Sequence, residues 1–328
     1  MTSHGKHTRR GFLKTSLLAG AGLTAVCSTG SGVVRQSQQA KQRANRMALT
    51  AGEDRADNIF RALQPFAEEI RAAIGERRVI IKPNNVSIDR QLAATHVDAI
   101  EGVLEFLNSI GKGKNVAIAE SAAAGPTFDG FENFDYFSLG KKYPVKFINL
   151  DKEEYQIVYT VDENDIQPHG ARMSKILLDR ENNFVISSAV MKTHDRVVAT
   201  LSLKNIVFGA PIKDEGFAWG RGGAEGARTD KPIPHGGGFR GINYNLFALA
   251  PMLRPDLAVI DGYQGMQGNW PVGGTPVEHR VAVASPNWFA ADRLAIELMG
   301  IDFADVGYLN YCARAGVGNT DLSSFEIS

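Results

Sequence analysis
Short apolar runs alternate along this chain with longer stretches in which apolar residues recur every three or four positions. Arg78–Lys82 (Arg-Val-Ile-Ile-Lys) reads as a short buried strand stopped by Pro83. In residues 96–110, Val97, Ile100, Val103, Leu104 and Leu107 share one face of a helix that Gly111 ends. Residues 115–119 read as the next strand, with Glu120 and Ser121 at its end, and Val145–Asn149 as another. Tyr155–Val161 and residues 173–178 read as two strands of a hairpin crossing the main sheet. Residues 183–187 form a further strand, 200–208 a short helix and 241–253 a longer one. Strands at 257–260 and 281–284, then helices at 286–299 and 305–315, complete the series, and no internal repeat shows. Strands spaced by helices predict an α/β fold: a largely parallel or mixed sheet, helices on both faces and an antiparallel hairpin insertion.

That layout carries a functional expectation, because open α/β sheets bind ligands beyond the carboxyl ends of their strands. Polar groups follow four of the strands: Lys82-Pro83-Asn84-Asn85, Glu120-Ser121, Lys192-Thr193-His194-Asp195 and Asp261-Gly262. The densest block brings Lys192, His194, Lys204 and Asn205 close in sequence. Neighbouring lysines attract phosphate or carboxylate and can depress one another's pKa, and a histidine among them can move a proton near neutral pH. The same residues also fit a capped surface helix and a packed imidazole, and spacing does not choose between the two.

Two glycine-rich stretches stand out. Residues 215–241 hold nine glycines together with Trp219, Pro232, Pro234 and His235, and fit either a binding lid or a loose insertion. Their basic Arg221, Arg228, Lys231 and Arg240 are offset by acids. The pattern is neither a phosphate-binding P-loop nor a dinucleotide turn. Residues 262–275, with Tyr263, Met266, Asn269 and Trp270, read as a loop after a strand that could wall a pocket. Asp261 before it could bind metal, orient a histidine or cap backbone N–H groups.

The amino terminus changes the picture. Residues 8–14 read Thr-Arg-Arg-Gly-Phe-Leu-Lys, which fits a twin-arginine export signal, and residues 15–27 supply a weakly apolar run. A membrane span needs roughly 20 apolar residues, so no stable span is expected there. Ala25-Val26-Cys27 fits cleavage better than lipidation, Val26 being large for a lipidation site. Three regions follow: a signal at 1–30, a linker at 31–56 and one α/β domain at 57–328. The expected location is periplasmic or otherwise exported, with the twin-arginine translocation machinery as partner.

Composition then narrows the chemistry. Lysine plus arginine equal aspartate plus glutamate at 36 each. Lys6, Arg9, Arg10 and Lys14 fall in the signal, so the rest of the chain carries a net charge of −4. A nucleic-acid partner is therefore not expected. Beyond Cys27 only Cys312 remains, which allows no internal disulfide and no four-thiolate iron–sulfur site. His96, His169, His194, His235 and His279 lie outside zinc-ligand spacing. A bound metal is thus open only as a site assembled from distant residues such as His194, His235, Asp261 or Glu120.

Several short motifs occur in order: Lys82-Pro83-Asn84, Thr95-His96, Lys192-Thr193-His194, Leu203-Lys204-Asn205 with Gly209, Asp261-Gly262 with Gly265-Met266, Gly274-Thr275-Pro276 and residues 290–292. From about Arg77 onward the chain resembles the family known as domain of unknown function 362. Some members carry ferredoxin-type cysteine clusters, which this chain lacks. His235 aligns with a histidine expected in the family. Two readings follow. One is an exported enzyme on a small carboxylate or phosphate, metal- or cofactor-assisted or not. There Lys82, Lys204, Asn84, Asn205 and Asp261 bind substrate, and His194, His235 and Lys192 are catalytic. The alternative is a non-catalytic protein that binds and delivers an anion, cofactor or metal.

Overall fold
The structure is a computed structural model that describes residues 46–165, 167–219, 223–268 and 272–328. The twin-arginine heptapeptide, Cys27, linker residues 31–45, Arg221, Asn269 and Trp270 lie outside them. The strands are β1 (Arg46–Ala51), β2 (Arg78–Lys82), β3 (Val116–Glu120), β4 (Val145–Asn149), β5 (Tyr155–Val161), β6 (Pro168–Ser174), β7 (Asn183–His194), β8 (Val198–Thr200), β9 (Leu257–Gln267), β10 (Thr275–Ser285) and β11 (Glu326–Ile327). The helices are α1 (Arg55–Leu63), α2 (Ala67–Ile74), α3 (Val97–Ser109), α4 (Thr127–Asn133), α5 (Lys175–Leu178), α6 (Ser202–Val207), α7 (Phe239–Leu253), α8 (Trp288–Leu298) and α9 (Gly307–Arg314).

Nine strands form the main sheet in the order β11-β1-β10-β9-β7-β2-β3-β4, with β8 added against β7. Neighbours from β9 to β4 are all parallel, and β10 runs against β9 and β1. Side chains alternate across the pleat, so each strand feeds two cores. Ile80, Ala117, Val185 and Ile260 face the core built with α6, α7, α8 and α9. Val79, Ile118, Ile186 and Val259 face the one built with α1, α2, α3 and α4. The expected α/β architecture with helices on both faces is the observed one.

Four expectations need correction. Part of the linker is core: β1 sits between β10 and β11, with Met47 and Ala48 fully buried, and α1 begins at Arg55. The partner that buries this strand is β10, more than two hundred residues downstream (Ala48 faces Ala284), so no local signal marks it. The β5–β6 hairpin does not cross the main sheet but forms a two-stranded sheet of its own. Its second strand ends at Ser174, and the residues expected to extend it turn into α5, which buries Ile176 and Leu177. The strand expected at 183–187 continues to His194, so Lys192 and His194 lie within β7 rather than after it. Likewise β9 runs through Asp261 to Gln267 and pairs with β10 from Thr275, so most of the expected loop at 262–275 is hairpin. Cross-strand hydrogen bonds outweigh the low strand propensity of Gly262 and Gly265 there.

Candidate functional site
The carboxyl ends of β2 and β3 bring Lys82 and Glu120 together. The Lys82 ammonium donates to Glu120 Oε2 at 2.9 Å, Pro83 O at 2.8 Å and Asn205 Oδ1 at 3.1 Å. Both side chains of the pair are about fully buried. Burial lowers the Lys82 pKa, and the Glu120 carboxylate opposes the shift. Glu120 also accepts from the backbone N–H of Asn85 (3.0 Å) and Ser121 (2.7 Å). Lys82 therefore has three acceptors already, and its ammonium is not an open anion ligand as expected. Gly209 makes room for it: a Cβ there would stand 2.0 Å from Lys82 Cε and 2.5 Å from Asn205 O.

Asn205 and Asn84 extend this network. Asn205 donates to Lys82 O (3.1 Å) and Ser187 Oγ (3.0 Å), which fixes its amide orientation. Its oxygen then takes the Asn84 side-chain N–H at 3.1 Å. Asn84 Oδ1 is left buried without a donor, as is Asn85 Nδ2 without an acceptor. Such orphaned groups are uncommon in folded proteins and mark places where water or a ligand completes the bonding.

Three more buried lysines surround this pair, and among the described residues none is within salt-bridge distance of a carboxylate. Lys192, on β7, donates to Ala93 O at 3.3 Å and to no other acceptor among the described residues. Burial, then Lys204 and Lys82, push its pKa well down. Lys204, on α6, has no hydrogen-bond acceptor among the described residues and lies over the Phe208 ring, 5.2 Å from its centre. Burial brings it to about 7. Lys231 donates to Pro211 O at 2.8 Å and is also brought by burial to about 7. In the sequence Lys231 reads only as a loop charge offset by acids. Its signal was the Lys-Pro-Ile-Pro-His run, in which Ile233–His235 closes a short 3-10 turn and places Lys231 and His235 on one structural unit.

The two histidines differ. His235 Nδ1–H donates to Lys231 O at 2.7 Å, which leaves Nε2 as the lone-pair nitrogen. Its ring stacks on Phe208 with centres 4.6 Å apart. Burial, then Lys204, lower its pKa to about 4, so it is neutral at physiological pH. His194 Nδ1 accepts the Arg196 backbone N–H at 3.1 Å. Asp195 Oδ1 is 3.0 Å from the same nitrogen and would form an ion pair only with a protonated ring. Burial first, then Lys204, His235, Lys192 and Arg196, hold that ring neutral. His194 is thus suited to polarise or orient a ligand, and His235 is the better proton acceptor.

Asp261 is not part of this cluster. It faces Arg55 Nε at 3.3 Å and accepts from Tyr263 N at 2.9 Å. Burial raises its pKa. With His96, Arg55 and Gln264 it lines a separate small cleft. His96 itself caps α3, its Nδ1 accepting from Asp98 N at 3.2 Å. On the other flank, Lys213 pairs with Asp151, which also accepts from Ser121 Oγ (2.5 Å) and Thr127 Oγ1 (3.0 Å). Glu120 is committed to Lys82 and Asp261 to Arg55, so the composite metal set of His194, His235, Asp261 and Glu120 is not assembled. No group of three or more His, Cys, Asp or Glu positioned for a metal occurs among the described residues.

What holds α6, and with it Lys204 and Asn205, is a carboxylate from another helix. Asp292 of α8 is fully buried and accepts from Ser202 N (2.8 Å), Ser202 Oγ (2.5 Å), Leu203 N (3.2 Å) and Tyr308 OH (3.1 Å). It supplies in trans the cap that Leu201 cannot. Burial lifts its pKa to about 6. Asp292→Ala is expected to cost about 2–3 kcal/mol by stranding buried donors, measured by urea unfolding. Asp292→Asn, which keeps an acceptor oxygen, should lose less.

Comparison with known proteins agrees with the motif order. A thylakoid-associated protein of Synechocystis sp. is 24% identical over 245 residues, covering 74% of this chain and 69% of that protein. The apoprotein structure of lactate racemase from Thermoanaerobacterium thermosaccharolyticum aligns with a TM-score of 0.47 at 12% identity. That alignment takes in 78% of this chain, which spans only 57% of the racemase chain. Residues 79–297, which contain Lys82, Glu120, Lys192, Lys204, Lys231, His235 and Asp292, match the family described as domain of unknown function DUF362, and the chain belongs to that family.

Proposed function
We propose that this is an enzyme, exported by the twin-arginine route, that acts on a small anionic substrate held by Lys192, Lys204 and Lys231. The observation that carries this reading is the trio of buried lysines with no carboxylate in contact among the described residues. Buried charge without a counterion is costly, and a carboxylate or phosphate would supply it. Asn84, whose buried Oδ1 lacks a donor, lies beside them to orient the ligand, and Asn205, with its own bonds filled, holds Asn84 in place over the Lys82–Glu120 pair. His235, neutral and with Nε2 outward from its bond to Lys231 O, would take or return a proton. The export part rests on the heptapeptide Thr-Arg-Arg-Gly-Phe-Leu-Lys.

Titration calorimetry of the purified chain with sulfate, phosphate and short carboxylates tests the site. Saturable binding that is lost in Lys192→Met and Lys204→Met, but kept in surface Lys112→Met, is the expected result. Equal affinity in all four proteins, or no binding to any anion, overturns it. A protein that binds anions but shows no His235-dependent turnover on any of them would be a carrier instead. Fractionation of cells expressing an Arg9→Lys, Arg10→Lys variant tests export: the variant should remain in the cytoplasm.

A further inference from the structure
Resting on the anion site just described, we infer that Lys204 is a covalent amine nucleophile, attacking a carbonyl carbon in a small anionic aldehyde or 2-oxo acid. Of the buried lysines, Lys82 has three acceptors, Lys213 bonds to Asp151 and Thr127, Lys192 has one carbonyl and Lys231 one. Lys204 alone has no acceptor among the described residues. An ammonium carries three N–H donors and finds no protein acceptor among the described residues, whereas a neutral amine carries a lone pair and needs no counterion. The Phe208 face at 5.2 Å favours the cation but supplies no hydrogen-bond acceptor. The charged and titratable groups that face Lys204 are Lys82, Lys192, Asp195, His194 and His235. Lys82 and burial push it towards the neutral amine, Asp195 pulls the other way, and the balance is about 7. A lysine desolvated beside another cation is a known route to an amine nucleophile.

The neighbours fit the chemistry. The amine lone pair forms a C–N bond as the carbonyl π bond breaks, and the ammonium proton moves to the oxygen to give a carbinolamine. Loss of that oxygen as water leaves the imine, with no oxidant or reductant consumed. His235 is stacked on the same Phe208 and keeps Nε2 unprotonated, so it can take the proton from nitrogen and hand it to the departing hydroxyl. Lys192 holds the substrate carboxylate while Lys204 reacts.

Trapping with glyoxylate and cyanoborohydride at pH 7, followed by peptide mass mapping, tests this. About half of an amine with a pKa near 7 is unprotonated at that pH, against roughly one part in three thousand for an ordinary lysine. Lys142, exposed and held charged by its hydrogen bond to Glu101, is the internal reference. A single adduct on Lys204, formed at least about tenfold faster than any on Lys142 and suppressed by sulfate, is expected. Lys204→Arg, which keeps the charge but cannot form an imine, should lose the adduct and retain sulfate binding. Adducts confined to other lysines, in wild-type protein that still binds sulfate, overturn the inference and leave the anion site standing. Absence of both trapping and sulfate binding removes both.

Discussion

Glu120→Ala should destabilise the protein by about 3–5 kcal/mol, the usual cost of stranding one partner of a buried ion pair. Three contacts vanish together: the Lys82 ammonium and the backbone N–H groups of Asn85 and Ser121. Lys82 would then lie buried, pressed against Gly209, with only Pro83 O and Asn205 Oδ1 as acceptors. Urea denaturation gives the change in midpoint. The informative comparison is the double variant Glu120→Ala, Lys82→Met. Removing both charges relieves the stranded ammonium, so the double variant should be more stable than Glu120→Ala alone. A double variant that loses the sum of the two single losses would mean that the pair does not act as a unit.

Sulfate affinity should fall about 10- to 100-fold between pH 6 and pH 8, about tenfold over that whole range for each lysine of pKa near 7 that must be protonated to bind. The sign follows from the lysines. In the empty site Lys204 and Lys231 are brought down to about 7, so both are charged below that pH and neutral above it. The bound anion needs ammonium groups, so affinity is highest on the acid side and declines as pH rises through 7. His235, lowered to about 4, stays neutral across the range and adds nothing to the slope. Sulfate is the right probe because its own charge does not change there. Calorimetry at several pH values should also show proton uptake on binding. A flat profile would mean that these lysines do not touch the anion.

Much of the fold was readable locally. The strands at 78–82 and 145–149 match the observed bounds, and the helix expected at 96–110 is observed at Val97–Ser109. These elements bury faces whose period is written in their own residues. Of the site, the approach of Lys192, His194, Lys204 and Asn205 was legible because they sit on the adjacent elements β7 and α6. Lys231 showed only as a loop charge and Asp292 only within the 290–292 motif, since each acts on a segment distant in sequence: Lys231 on Pro211 O, Asp292 on the start of α6. Lys82 and Asp261 were visible as residues but their partners were not, because only folding supplies Glu120 to the one and Arg55 to the other.

The sequence by itself determined the α/β class, the family and a concentration of lysine, histidine and asparagine near strand ends. These depend on periodicity and on motifs within a few residues, which any chain displays before it folds. Tertiary structure alone decided which charges are matched. It paired Lys82 with Glu120 and Lys213 with Asp151, and left Lys192, Lys204 and Lys231 with no carboxylate in contact among the described residues. It also drew residues 46–51 from an expected linker into the sheet. The physical reason is common to both outcomes. Burial and partner choice are long-range properties, and the low dielectric that makes an unmatched ammonium consequential exists only once distant segments have excluded water from it.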